Sequence, residues 1–152
     1  MKLKSLIIGT AAALSVASMA IADRGSDGHV NIIYWQAPSI LNPYLSGGTK
    51  DVESSSMIIE PLARYNQDGE LTAWLATEIP TVSNGGVSAD LMSITWNITP
   101  GIKWSDGSAF TAHDVVFTGN YCMNPDGGCA QSNKLADVAN IEALDDLTVK
   151  VT

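Results

Sequence analysis

Positive charge is what this sequence has least of. Eight Lys and Arg stand against sixteen Asp and Glu, for a net charge of −8. Two of those cations are Lys2 and Lys4; beyond residue 22 six cations face sixteen carboxylates, a net of −10. A nucleic-acid binder needs a cationic surface to displace condensed counterions, so this balance excludes that class. Histidine is scarce, with only His29 and His113. No Gly-x-Ser-x-Gly, no phosphate-cradling glycine loop with its Lys and no His-Glu-x-x-His is present, so the common nucleophile, nucleotide and zinc-hydrolase motifs are missing. His29 precedes the first predicted element, where a solvated side chain is expected. His113 falls in the first turn of a predicted helix, where a protonated imidazole would oppose the helix dipole. Asp145-Asp146 reads as a turn, because neighbouring carboxylates there diverge and lack the other ligands of a calcium loop. Beyond residue 22 no apolar run approaches the ~20 residues that cross a bilayer. With 45% hydrophobic and 16% charged residues, the chain is nonetheless too apolar for disorder and has room for one ordinary core.

What is present begins with an export pattern. Met1-Lys2-Leu3-Lys4 is a cationic start, Leu6 to Ala20 is apolar with only small interruptions, and Ala20-Ile21-Ala22 offers small side chains for cleavage. Residues 1–22 therefore read as a secretory signal peptide; a membrane anchor is disfavoured because the apolar stretch is short and polar Asp23 to Gly28 follows at once. No Cys stands directly after the apolar stretch, so a lipid anchor is not indicated. A Gram-negative periplasm fits, with a secreted eukaryotic protein as the alternative. Cys122 and Cys129 are the only cysteines and enclose Asn124-Pro125-Asp126-Gly127-Gly128. This turn chemistry lets the chain double back, and in an exported protein the pair reads as a structural disulfide. A redox or metal pair would need C-x-x-C spacing and further ligands.

Along the remaining chain, Val30–Trp35 is β-branched and aromatic and predicts a strand. Residues 36–49 form a long loop with Pro38, Asn42, Pro43, Gly47 and Gly48, a length uncommon unless it serves a function. Thr49 or Asp51 opens a helix to Glu60, stopped by Pro61, with Val52, Met57, Ile58 and Ile59 as its buried stripe. Residues 62–65 and 70–72 flank Asn66-Gln67-Asp68-Gly69 and predict a hairpin. Ser93 to Ile98 alternates, with Ile94, Trp96 and Ile98 on one face. Thr111-Ala112-His113-Asp114 is a capping-box variant opening a helix to about Tyr121. Residues 138–144 and 147–151 form a last hairpin. Trp74, Trp96 and Trp104 are assigned to core packing, whereas Trp35 stands beside the long loop, at the kind of strand end where α/β folds bind ligands. The predicted class is mixed, β-rich α/β. The chain stops within a predicted strand, from which a fragment of a longer protein is expected.

The stretch Trp104-Ser105-Asp106-Gly107-Ser108-Ala109-Phe110-Thr111-Ala112-His113-Asp114-Val115-Val116-Phe117 resembles the motif of the extracytoplasmic solute-binding proteins of peptide-type ABC importers, solute-binding family 5. Leu41-Asn42-Pro43, Glu60-Pro61-Leu62-Ala63, and Leu75-Ala76 with Ile79-Pro80 are further matches. Ala109 and Ala73 stand where the family usually has Pro, which bears on turn rigidity. The cysteine pair is similar to that of one branch with longer peptide binders.

The resemblance implies a periplasmic binding protein type II-like fold: residues 23–50 as the start of lobe I, and 51–152 as the extra β-rich subdomain, truncated and without the second lobe. It implies a monomeric, non-catalytic receptor with no cofactor and no metal. That receptor would close on an extended peptide held by main-chain hydrogen bonds and deliver it to permease subunits in the inner membrane. Leu45-Ser46-Gly47-Gly48-Thr49 matches the ligand-facing loop, with Asn42 as its brace, so Trp35, Asn42, Gly47, Gly48 and Thr49 are the candidate ligand-binding residues. Gly47 and Gly48 read equally as a ligand approach or as a plain turn. The alternatives are another solute on the same scaffold (a nickel chelate, an opine or an oligosaccharide) or a piece of a secreted hydrolase. One outcome follows from the leader alone. N-terminal sequencing of the exported protein should begin at Asp23, and an exported product that retains Met1 would remove the signal-peptide reading.

Overall fold

A computed structural model of the chain describes residues 28, 29 and 31–152. The predicted leader lies outside these residues. The described residues divide between two units, one ending at Ile33 and the other running from Tyr34 to Thr152. Of the first, Gly28, His29, Asn31, Ile32 and Ile33 are described, and they carry no helix or strand.

The predicted strand at Val30–Trp35 does not form: Val30 lies outside the described residues, and 31–35 belong to no ladder. β-branched and aromatic residues favour a strand by packing on a neighbour. Here Ile33 is 99% exposed and Trp35 71% exposed, so there is no such packing.

In the second unit the long loop leads to α1 (Thr49–Ser55). This helix ends earlier than the predicted Glu60 and buries a different face. Asp51, Ser54 and Ser55 are buried, whereas Val52, Met57 and Ile58 are exposed and Ile59 is only half-buried. Two serines bury without penalty because their hydroxyls bond the preceding turn: Ser54 Oγ donates to the Lys50 carbonyl at 2.7 Å and Ser55 Oγ to the Asp51 carbonyl at 2.6 Å. Such back-bonding satisfies the side chain but weakens helix continuation. The next amides, Met57 and Ile58, reach only three residues back and close the helix in a tighter turn. The N-cap is Gly48, not Thr49 or Asp51.

The hairpin β1 (Ala63–Tyr65) and β2 (Leu71–Ala73) forms as predicted, in register Arg64 to Thr72. Gly69 takes φ +80, the left-handed conformation that closes this turn. Asn66 Oδ1 accepts from the amides of Asp68 and Glu70. The chain then runs alongside β3 (Ile94–Asn97) through a bridge between Ala76 and Ile98.

β3, β4 (Ile141–Asp145) and β5 (Thr148–Val151) form an antiparallel sheet in the order β3-β5-β4. Register places Val149 between Trp96 and Ala143, and Val151 between Ile94 and Ile141. All six therefore share one face, as period-two alternation requires. The turn of the last hairpin is Asp146-Leu147, one residue later than predicted, with Asp145 Oδ1 accepting the Leu147 amide at 2.8 Å.

α2 (Ala112–Met123) packs on β4 and β5. Its capping box forms: Asp114 Oδ2 accepts the Thr111 amide at 2.7 Å. Ala112 N–H donates to the Asp146 carbonyl at 2.8 Å, so the first turn of the helix is pinned to the hairpin turn. Ile98, Ala112, Ile141 and Val149 are the buried centre, ringed by partly buried Leu62, Trp96, Ile102, Phe110 and Val115 among others. Cys122 in the last turn of α2 is disulfide-bonded to Cys129 beyond it, with Cα atoms 4.9 Å apart. Closing so short a loop stabilises by about 2.5 kcal/mol in the chain-entropy account. A 3₁₀ turn at Ser132–Leu135 then leads to β4.

The tryptophans divide. Trp96 is half-buried against the core. Trp74 and Trp104, assigned to the core from sequence, are 42% and 44% exposed. Trp74 instead stacks under the Arg64 guanidinium, 3.3 Å from the ring centre, and donates its indole N–H to Glu60 at 2.9 Å. Trp104 meets Phe110 edge-on at 5.5 Å between centroids. An amphipathic indole gains from these contacts while keeping one side wet. Ile98, 1% exposed at the junction of the hairpin, β3 and α2, sets the stability expectation. Ile98→Ala should lower unfolding stability by about 2–5 kcal/mol, read as a shifted urea midpoint, whereas Met57→Ala on the exposed side of α1's end should leave it nearly unchanged.

Candidate functional site

The loop from Trp35 to Gly48 is ordered by polar contacts, with few apolar ones. Asn42 Oδ1 accepts the Tyr44 amide at 2.9 Å, and the Asn42 carbonyl accepts the Leu45 amide at 3.1 Å. This is an Asx turn that folds the chain over Pro43. The Tyr44 carbonyl accepts the Ala130 amide at 2.7 Å, which fastens the loop to the residue after the disulfide.

Sequence reasoning missed the residue that holds the other half of the loop. Asp51 is 3% exposed. Its Oδ1 accepts from the Ser39 amide at 2.6 Å, the Ile40 amide at 3.4 Å and Lys50 Nζ at 2.9 Å. Its Oδ2 accepts from Ser46 Oγ at 2.7 Å, and Ser46 Oγ in turn accepts the Gly48 amide at 3.1 Å. Lys50 Nζ also donates to Ser39 Oγ. The sequence signal was available: an acid at the start of a helix whose preceding loop is crowded with amide and hydroxyl donors. Reading Asp51 only as a helix cap hid it. The Lys50 ammonium, then the Ser46 hydroxyl and the Ser39 amide, hold the carboxyl well below the usual carboxylate range.

Of the candidate ligand residues, the structure brings Gly47, Gly48 and Thr49 together as an exposed shoulder leading into α1. A Cβ added at Gly47 would meet nothing within 4 Å, and one at Gly48 would make ordinary contacts with Ser46 and Asp51 at 3.4 and 3.5 Å. Gly48 has φ −76, so no special backbone conformation demands glycine there. Asn42 lies apart from that shoulder, half-buried on the wall of an open cavity of about 700 Å³ that Trp96, Trp104, Phe110 and Phe117 also line. Trp35 stands exposed and does not line that cavity. Among the described residues no group of three or more His, Cys, Asp or Glu could hold a metal ion. His113 faces Asp146 at 3.8 Å on the open surface.

This architecture is periplasmic binding protein type II-like, the fold of the solved structures it matches. One of these is AgaA of A. tumefacien R10 in complex with agropinic acid, with a TM-score of 0.67 and 29% identity over 76% of this chain and 22% of that one. The family model of the bacterial extracellular solute-binding proteins, family 5 Middle, matches residues 70–152, and the chain belongs to that family. Curated relatives include the glutathione-binding protein GsiB of Pectobacterium atrosepticum, 30% identical over 112 residues, 74% of this chain and 21% of the relative. The oligopeptide-binding protein OppA of Bacillus subtilis is 29% identical over 120 residues, 74% of this chain and 20% of the relative. The chain thus spans about a fifth of the length of the curated relatives it matches.

The depressed Asp51 carboxyl has a definite pH sign. Its contribution to loop order is fully present above the ordinary carboxylate range and is lost as pH falls through the lowered native value. The difference in amide protection at residues 39, 40 and 48 between wild type and Asp51→Asn should hold steady down to that range and narrow below it, as read by hydrogen exchange.

Proposed function

We propose that this chain belongs to the substrate-binding component of a peptide ABC importer, which captures oligopeptides in the periplasm and hands them to inner-membrane permease subunits without catalysis. The observation that carries this reading is the family match joined to relatives whose names specify peptide ligands, an oligopeptide in one and glutathione in another. The loop geometry supports it. Gly47 and Gly48 present exposed main chain with no side chain in the way, which suits an extended ligand held through its backbone. In this reading Gly47, Gly48 and Thr49 meet the peptide, Trp35 flanks it and Asn42 keeps the loop folded. Residues 23–50 begin the first lobe, and 51–152 form the β-rich subdomain beside it. The receptor acts as a monomer, and closure on its peptide creates the state a permease recognises.

A second reading rests on the likeness to AgaA, whose complex holds agropinic acid: the same scaffold would then take a small non-peptide solute. Calorimetry of the complete protein against tetra-alanine, glutathione and agropinic acid separates the two. Heat with either peptide and none with agropinic acid is expected; heat with agropinic acid alone would replace the first reading by the second. Gly47→Ala should leave thermal stability unchanged, because its new methyl meets no protein atom. It should weaken peptide binding by roughly tenfold, about 1.4 kcal/mol, by standing where the ligand main chain approaches.

A further inference from the structure

Asp51 sits in α1 yet spends its acceptors on the loop. Three of its hydrogen bonds reach back to Ser39, Ile40 and Ser46, across 12, 11 and 5 residues. None goes to the sheet, to α2 or to the core cluster around Ile98 and Val149. The stretch from Ser39 to Ser46 is therefore drawn to one carboxylate at both ends, and Gly47-Gly48 follow it directly. Ser46 extends its reach by accepting the Gly48 amide, so Gly47 is suspended between two residues that Asp51 fixes directly or through one hydroxyl. Lys50, with 14% of its side chain exposed, neutralises the carboxylate from its outer side. No buried side-chain nitrogen or oxygen among the described residues lacks a partner, so the clasp is complete.

We infer that Asp51 is the positioning residue of the peptide-facing loop: its carboxylate closes Ser39, Ile40 and Ser46 into one frame and so holds Gly47-Gly48 in the binding-competent conformation before ligand arrives. The inference rests on the peptide-receptor reading above. A loop that is already ordered contributes its ordering entropy at folding and leaves less to be lost on binding. If the clasp is broken, the competent conformation becomes a fraction of the ensemble, and apparent affinity falls by that fraction. Contacts in the bound state are untouched. The signature is a slower association rate with an unchanged dissociation rate, which separates positioning from a lost ligand contact.

The test uses the complete protein with tetra-alanine and glutathione as probes, followed by stopped-flow tryptophan fluorescence. Asp51→Asn, which keeps the side-chain volume, should slow association by roughly tenfold, as expected for the loss of charge-assisted bonds. Dissociation should not move. Ser46→Ala should show a smaller effect of the same kind, and the double variant should be no worse than Asp51→Asn alone, because both changes open one clasp. A faster dissociation, additive effects, or wild-type association in Asp51→Asn would overturn the positioning role. Gly47→Ala tells the two readings apart. If it weakens peptide binding while Asp51→Asn does not, the clasp inference fails and the loop reading stands. If wild type binds neither peptide, the loop reading fails and takes the positioning role with it.

Discussion

Val149 is wholly enclosed at the centre of the β3-β5-β4 sheet, and the second unit is organised around its burial. Its neighbours across the ladders are Trp96 and Ala143, and Ile98, Ala112 and Ile141 complete the cluster. The sheet has only this one enclosed apolar face to offer, so register is fixed by it: a one-residue slip would send Val149 and Val151 to water and Lys150 inward. α2 can cover that face only if its first turn is anchored, and the Ala112 amide bonded to the Asp146 carbonyl supplies the anchor. Leu75 and Ala76 then join through the bridge to Ile98, which couples the small hairpin to the same centre.

The loop ahead of α1 obeys a different logic. It contains few buried apolar side chains, so hydrophobic area cannot order it, and the work falls to directional bonds. Asn42 folds one half locally and Asp51 gathers the rest, while the Tyr44 carbonyl ties the loop to the disulfide segment. Such a segment can be well ordered and still present exposed main chain, a combination that an apolar core does not give. An apolar sheet and a polar loop thus order the same unit by two different means.

The sequence was most informative where turn chemistry and alternation agreed. Asn66-Gln67-Asp68-Gly69 located the first hairpin, and the alternation of Ile94, Trp96 and Ile98 marked one face of β3, buried toward its Ile98 end. Thr111 with Asp114 marked the start of α2, and the Trp104–Phe117 motif pointed to the family. It misled where side chains solved their problems unconventionally. Val52, Met57 and Ile58 looked like a buried stripe, yet serines that bond their own helix took the buried face instead. Trp74 and Trp104 looked like core, but a guanidinium and a neighbouring ring accommodate them at the surface. Residues 31–35 have strand composition, and composition cannot report whether a partner strand is present. Asp51 was visible as a helix-start acid; that its bonds run backward over a dozen residues is a tertiary fact that no local pattern carries.

The strand order has a consequence for how the polypeptide acquires its shape. Apart from a single bridge between Val87 and Ile94, β3 is paired through β5, which lies more than fifty residues later in the chain, with Ile94 opposite Val151. Until Thr148–Val151 emerges, neither β3 nor β4 has a ladder to join, so the sheet cannot assemble piecemeal as synthesis proceeds. The short Cys122–Cys129 loop and the β1–β2 hairpin close over local distances and can form ahead of it. A sheet wired this way stays open until its central strand has been made, however early the local turns close.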